Sequence, residues 1–138
     1  MDFKRAVSVL IIDDDPINNF ILETFIRKIS PDATINISLH GENAINHLLN
    51  LVKRDVKYPD FIFVDVMMPV MNGWVFLDEY KHYELDKILK SRIFVATSSL
   101  FKRDYEQAFS YPVVEDLIIK PFSMEGLREI FSAKPNLV

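Results

Sequence analysis

No cysteine occurs among the 138 residues, which excludes disulfides, thiolate metal sites and a cysteine nucleophile. Positive charge is not in excess either. The formal net charge is −4, whereas a chain that grips nucleic acid through its phosphates carries a surplus of Lys and Arg. Nucleic acid is therefore not an expected partner. No apolar run approaches the length of a membrane span, and Met1-Asp2-Phe3-Lys4-Arg5 leads directly into a short strand-like run without a leader's apolar region or cleavage site. No membrane association is expected, and the expected location is the cytoplasm. What the chain does have is apolar residues, 49% of the total, with 11 phenylalanines. One domain of this length can bury a core without staples. That domain is expected to span the chain, with its core over about residues 6–132 and a loose tail over 133–138.

Five apolar runs alternate with five helical patterns. Val7-Ser8-Val9-Leu10-Ile11-Ile12 reads as a strand, and Asp15 as the N-cap of a helix with Pro16 at its first position. Ile17, Phe20, Ile21, Thr24, Phe25 and Ile29 then recur at helical spacing, which predicts that they form its inward stripe. Thr34 to Leu39 alternates apolar and polar, as an edge strand covered on one face would. Ala44, Ile45, Leu48, Leu49 and Val52 mark a second helix. Phe61-Ile62-Phe63-Val64 has no polar break, as a strand buried on both faces requires. A loop over 67–73 precedes a third helix carrying Trp74, Leu77 and Tyr80, which runs on with an irregularity through Leu85, Ile88 and Leu89. Ile93 to Ala96 is a fourth strand. Phe101, Tyr105, Ala108 and Phe109 give a fourth helix, Leu117 to Ile119 a fifth strand, and Ser123 caps a last helix with Leu127, Ile130 and Phe131. Such alternation predicts an α/β fold with a five-stranded parallel sheet, helices on both faces and right-handed crossovers. With the second strand at an edge, the order is 2-1-3-4-5, the flavodoxin-like (βα)5 arrangement.

Ligands of such sheets bind outside the carboxyl ends of the strands, so the residues there matter most. The first strand ends in Asp13 and Asp14, the third in Asp65, the fourth in Thr97 and the fifth in Lys120. In the order 2-1-3-4-5 these strands are neighbours, and three carboxylates, a hydroxyl and an ammonium converge. Three acids repel unless a counter-ion lies between them. A hard divalent cation, Mg²⁺ with Mn²⁺ as the alternative, suits oxygen ligands of this kind. Lys120 is then free to hold a second anion. A phosphoryl group fits, because its transfer needs a nucleophile in line and positive charge around the equatorial oxygens. In that chemistry Asp65 is the nucleophile, Mg²⁺ and Lys120 spread the charge, and Thr97 donates a hydrogen bond to a phosphoryl oxygen.

Asp13-Asp14, Asp65 before Met67-Met68-Pro69 and Met71-Asn72-Gly73, Thr97-Ser98, and Lys120-Pro121-Phe122 together resemble the receiver domain of bacterial response regulators. The resemblance covers nearly the whole chain. It implies that Asp65 is the phosphoacceptor of a two-component phosphorelay and that Asp14 ligates Mg²⁺ directly. Asp13 acts through metal-bound water, the Met67 backbone carbonyl completes the protein's ligands, and Thr97 and Lys120 contact the phosphoryl group. A cis Lys120-Pro121 bond is implied too. The partners implied are a sensor histidine kinase or histidine phosphotransfer protein as donor, and a downstream protein meeting the fourth helix and fifth strand. Catalysis is expected only on the chain itself, in its own phosphorylation and dephosphorylation. With few residues after the last helix, a stand-alone receiver is expected, its output by protein contact or by passing phosphate onward.

Two positions depart from or qualify the pattern. Leu117 stands three residues before the lysine, where many receivers carry Tyr or Phe, so the usual aromatic readout is not expected. Met67 and Ser99 flank the attacking water's path in this family, and an apolar Met67 would not orient water, which predicts a long-lived phosphoryl group. Rival readings remain: a receiver-like scaffold that is never phosphorylated, and a haloacid-dehalogenase-like phosphatase. The second is weakened because Pro16 and Ile17 follow Asp13-Asp14-Asp15 and Asp65 would have no role. Asn18 and Asn19 are expected on an exposed first helical turn, with lining of the crevice as the alternative, His40, His47 and His82 on the surface, and Trp74 packed beside the loop.

Overall fold

The computed structural model describes residues 6–68 and 72–132; the expectations for the leader, for positions 69–71 of the 67–73 loop and for the 133–138 tail concern residues outside these. In chain order the elements are β1 (Ser8–Ile12), α1 (Pro16–Ile29), β2 (Thr34–Ser38), α2 (Gly41–Arg54), β3 (Phe61–Asp65), α3 (Gly73–His82), α4 (Leu85–Ile88), β4 (Arg92–Thr97), α5 (Lys102–Phe109), β5 (Val114–Ile119) and α6 (Met124–Ser132). All strand pairs are parallel and the order is β2-β1-β3-β4-β5, as predicted. The irregularity expected in the third helix is a break: Glu84 takes a left-handed φ of 55° and α4 starts anew at Leu85. The helix expected fourth is thus α5.

Alternate strand residues feed two cores. Leu10, Ile12, Ile62, Val64, Ile93 and Val95 pack on Ala44, Leu48, Phe76, Leu77 and Tyr80 of α2 and α3. Val9, Ile11, Phe61, Phe63, Phe94 and Ala96 face the other way, onto Leu22 and Ile26 of α1 and Leu127 of α6. The phenylalanines cluster on this second face. Phe61 lies 4.4 Å from Phe131 between ring centroids, Phe63 is 5.5 Å from Phe94, and Phe122 meets Phe63 edge-on at 6.4 Å. At about 1.5–3 kcal/mol for each large apolar side chain buried, these two layers hold the central strands rigid.

Two helix faces differ from expectation. In α1 the buried residues are Asn19, Leu22 and Ile26, while Ile17 and Phe20 are 69% and 71% exposed. Apolar residues lie all round this helix, so spacing alone chose a stripe displaced from the one that Asn19 turns inward. In α5 the buried residue is Ala108, and Phe101, just before the helix, Tyr105 and Phe109 are 66%, 55% and 41% exposed. This helix lies against the edge strand β5, which leaves its large residues uncovered.

Candidate functional site

The carboxyl ends of β1, β3, β4 and β5 bring together the predicted residues. Asp13 and Asp65 are buried, Asp14 is half-buried and Thr97 is buried. Lys120 Nζ lies 2.8 Å from Asp13 Oδ2 and 3.4 Å from Asp65 Oδ2, so one ammonium bridges two of the three carboxylates. Carboxylate oxygens of Asp13, Asp14 and Asp65 all lie within 4.8 Å of one another. Asp14, Asp65 and Lys120 line a crevice of about 410 Å³ together with Asp15, Asn18, Met67, Ser98 and Pro121. A donor set of three hard carboxylate oxygens at an open crevice suits a small divalent cation that keeps several waters, so the residues fit Mg²⁺.

Local structure aims each group. The Asp15 side chain accepts from Ile17 N–H at 2.9 Å, capping α1 as predicted, and its own N–H donates to Asp13 Oδ1 at 2.9 Å. Met67 N–H donates to Asp65 Oδ1 at 3.0 Å, which leaves Oδ2 turned towards Lys120. Thr97 Oγ1 accepts from Ser99 N–H at 3.0 Å, and the Ser99 hydroxyl donates to Asp104 in α5. The Lys120-Pro121 peptide is cis. Burial pushes the Asp65 carboxyl above its usual value; the Met67 N–H opposes this, the Asp13 charge adds to it and Lys120 opposes it.

Two residues that position the site carried no clear signal in the sequence. Asn19 is buried, not exposed, and its Nδ2 donates to the Asp13 carbonyl at 2.9 Å, which ties α1 to the end of β1. Gly73 starts α3 so close to β3 that an added Cβ would stand 2.7 Å from Asp65 O and 2.8 Å from Val66 Cγ1. Its place in Asn72-Gly73 reads as a loop marker, but its role is to let α3 press on the acceptor's own backbone. Asn72 caps that helix by accepting from Val75 N–H at 3.0 Å. Of the histidines, His82 is exposed as expected, whereas His40 and His47 are half-buried, and neither lines the crevice. Trp74 stacks on Tyr111, ring centroids 6.1 Å apart.

A parallel five-stranded sheet with an acidic crevice and a lysine at its strand ends defines a class, and the comparisons place the chain in it. The family model for the response regulator receiver domain matches residues 9–132. The chain belongs to that family. A two-component response regulator from Cytophaga hutchinsonii superposes with a TM-score of 0.82 at 33% identity, covering 92% of this chain and 96% of that one. The probable C4-dicarboxylate response regulator DctR of Halalkalibacterium halodurans is 26% identical over 91% of this chain, which spans 50% of that protein. The sensor histidine kinase CheAY of Helicobacter pylori is 33% identical over 88% of this chain, which spans 14% of it. A yeast receiver, Ssk1, crystallised with the histidine phosphotransfer protein Ypd1, shares the fold at 22% identity, a TM-score of 0.73 and coverage of 91% and 86% of the two chains.

Proposed function

We propose that this receiver takes a phosphoryl group onto Asp65 from a phosphohistidine on a sensor kinase or phosphotransfer protein, in the cytoplasm, and that the modified form changes affinity for a protein partner or passes the phosphate onward. The observation that carries this reading is the convergence of Asp13, Asp14, Asp65 and Lys120 around one open crevice. An Asp65 oxygen attacks phosphorus, the P–N bond to the donor imidazole breaks, and its electron pair leaves with the ring. Asp65 is held for this by Met67 N–H. Lys120 shifts from its pair with Asp13 to the transferred oxygens, and the Thr97 hydroxyl, which accepts from Ser99 N–H, donates its hydrogen to the phosphoryl group. Asp14, Asp65 and the Met67 carbonyl would hold Mg²⁺ directly and Asp13 would act through water; the bound cation would supply positive charge to offset the carboxylates and the transferred group. The unit that does this is one domain over about residues 6–132, and its catalysis is confined to its own phosphorylation and hydrolysis.

Two exposed apolar surfaces are assigned to partners. Ile17 and Phe20 lie on the first turns of α1, close in sequence to Asp14, where a phosphohistidine donor would dock. Leu100, Phe101, Tyr105, Phe109 and Ile119 form the surface of α5 and β5, assigned to the output partner. Leu117 lines a shallow hollow of about 220 Å³ there with Tyr105 and Ile119, so the readout moves aliphatic packing, not an aromatic ring. The test compares phosphoryl transfer from a phosphohistidine protein with transfer from acetyl phosphate. Phe20→Asp is expected to slow the first and leave the second unchanged. If neither donor phosphorylates the wild type in the presence of Mg²⁺, the reading fails and the scaffold takes its place.

A further inference from the structure

The sequence treats the two edges of the sheet differently. Along β5, Glu115 and Asp116 are consecutive and exposed, Arg92 of β4 reaches across to Glu115, and the register with β4 shifts at Ile93/Phe94. Charges and irregularity of this kind keep a foreign strand from pairing. β2 has neither. From Ala33 to Gly41 the chain contains no Asp, Glu, Lys, Arg or Pro. Its pairing with β1 is unbroken, and Thr34, Asn36 and Ile37 are exposed.

The inner hydrogen bonds show which backbone groups point outward. Thr34 N–H donates to Val7 O at 2.9 Å, and Ser38 O accepts from Asp13 N–H at 3.1 Å. Backbone direction alternates along a strand, so Thr34, Asn36 and Ser38 are turned to β1, and the N–H and C=O groups of Ile35 and Ile37 face solvent.

We propose that β2 is a self-association edge, on which a second copy of this chain pairs its own β2 antiparallel about a two-fold axis through Asn36. That register sets Ile35 of one copy opposite Ile37 of the other, each pair exchanging both of its outward N–H···O=C bonds. Thr34 meets Ser38. Asn36 meets its own copy at a non-hydrogen-bonded position, where side chains approach closest and two amides can bond each other. An isologous contact requires a surface complementary to itself, and Thr-Ile-Asn-Ile-Ser satisfies this with no like charges facing. Ile37 and Leu39, 39% and 48% exposed, lose contact with water on pairing. A single strand pair buries much less than the roughly 1,200 Å² of a standard interface, so the dimer is weak and concentration-dependent. The Asp65 crevice and α5 stay open in it.

The absence of cysteine makes the test clean, because Asn36→Cys places one thiol at the axis. Directly opposed non-hydrogen-bonded residues have Cα atoms about 4.5 Å apart, within the span of a disulfide. Under mild oxidation Asn36→Cys is expected to form a covalent dimer much faster than Glu129→Cys, an exposed control on α6. In sedimentation velocity across a dilution series, wild type is expected to show a monomer–dimer equilibrium that Asn36→Asp shifts about tenfold or more towards monomer by opposing like charges, while Ile119→Lys leaves it unchanged. Three results overturn the proposal: a wild type that stays monomeric into the sub-millimolar range, a dimer broken by Ile119→Lys and not by Asn36→Asp, or Asn36→Cys cross-linking no faster than Glu129→Cys.

Discussion

The crevice at the strand ends and the outer surface of α5 are neighbours built on opposite terms. In the crevice, charged groups are buried and hold one another: Lys120 bridges Asp13 and Asp65, Met67 N–H holds the acceptor, and Asn19 fixes Asp13 from behind. On α5, large apolar side chains stand in water and Ala108 alone of that helix is buried. The first region spends burial on charge, which is unfavourable until a cation or phosphoryl group arrives. The second leaves apolar area uncovered, a cost that the proposed output partner would relieve. On the proposed reading, each region is completed by a different ligand. Thr97, Ser99 and Asp104 join them by consecutive hydrogen bonds.

Changes on either side should separate the two. The largest effect is expected from Lys120→Ala, which removes a positioned cation from the transferred charge; uptake from acetyl phosphate should slow by about 10²–10³-fold, measured by intact mass against time. Gly73→Ala comes next. The added Cβ would meet Asp65 O and Val66, so about 1–3 kcal/mol of stability should be lost in urea melts, with slower uptake as the acceptor's backbone shifts. A smaller, pH-dependent effect belongs to Asp65→Asn. Because burial raises the folded pKa of Asp65, the folded chain binds that proton more tightly than the unfolded one. The resulting penalty is absent below the unfolded value of about 3.9 and complete above the raised folded value. Without divalent cation, Asp65→Asn should therefore melt with wild type at the acid end and above it at neutral pH. The smallest stability change is expected on α5: Tyr105→Ser should stay within about 0.5 kcal/mol of wild type and leave uptake unchanged, while abolishing capture of a phosphorylation-dependent partner.

The same contrast explains what was legible in the sequence. A buried parallel strand is a continuous apolar run, so its end is marked by the first polar residue; Asp13, Asp65, Thr97 and Lys120 could each be placed that way, and the strand order followed from β2's alternation. Helix faces were less legible. Spacing reports that apolar residues share a face, not that the face is covered, and α5 has such a face with nothing against it. In α1, Asn19 is buried because the Asp13 carbonyl needs a donor, a demand that exists only once β1 and α1 are packed. Gly73 is similar: its need for a bare Cα comes from β3, eight residues earlier in the chain.

The central claim is that Asp65 is a phosphoryl acceptor in a cation-dependent site. Intact mass after incubation with acetyl phosphate and Mg²⁺, run beside Asp65→Asn and a chelator, tests it most directly. The account predicts one added phosphoryl group in wild type, none in Asp65→Asn and none with the chelator. An equal gain in Asp65→Asn, or no gain in wild type from either acetyl phosphate or a phosphohistidine protein, would contradict it.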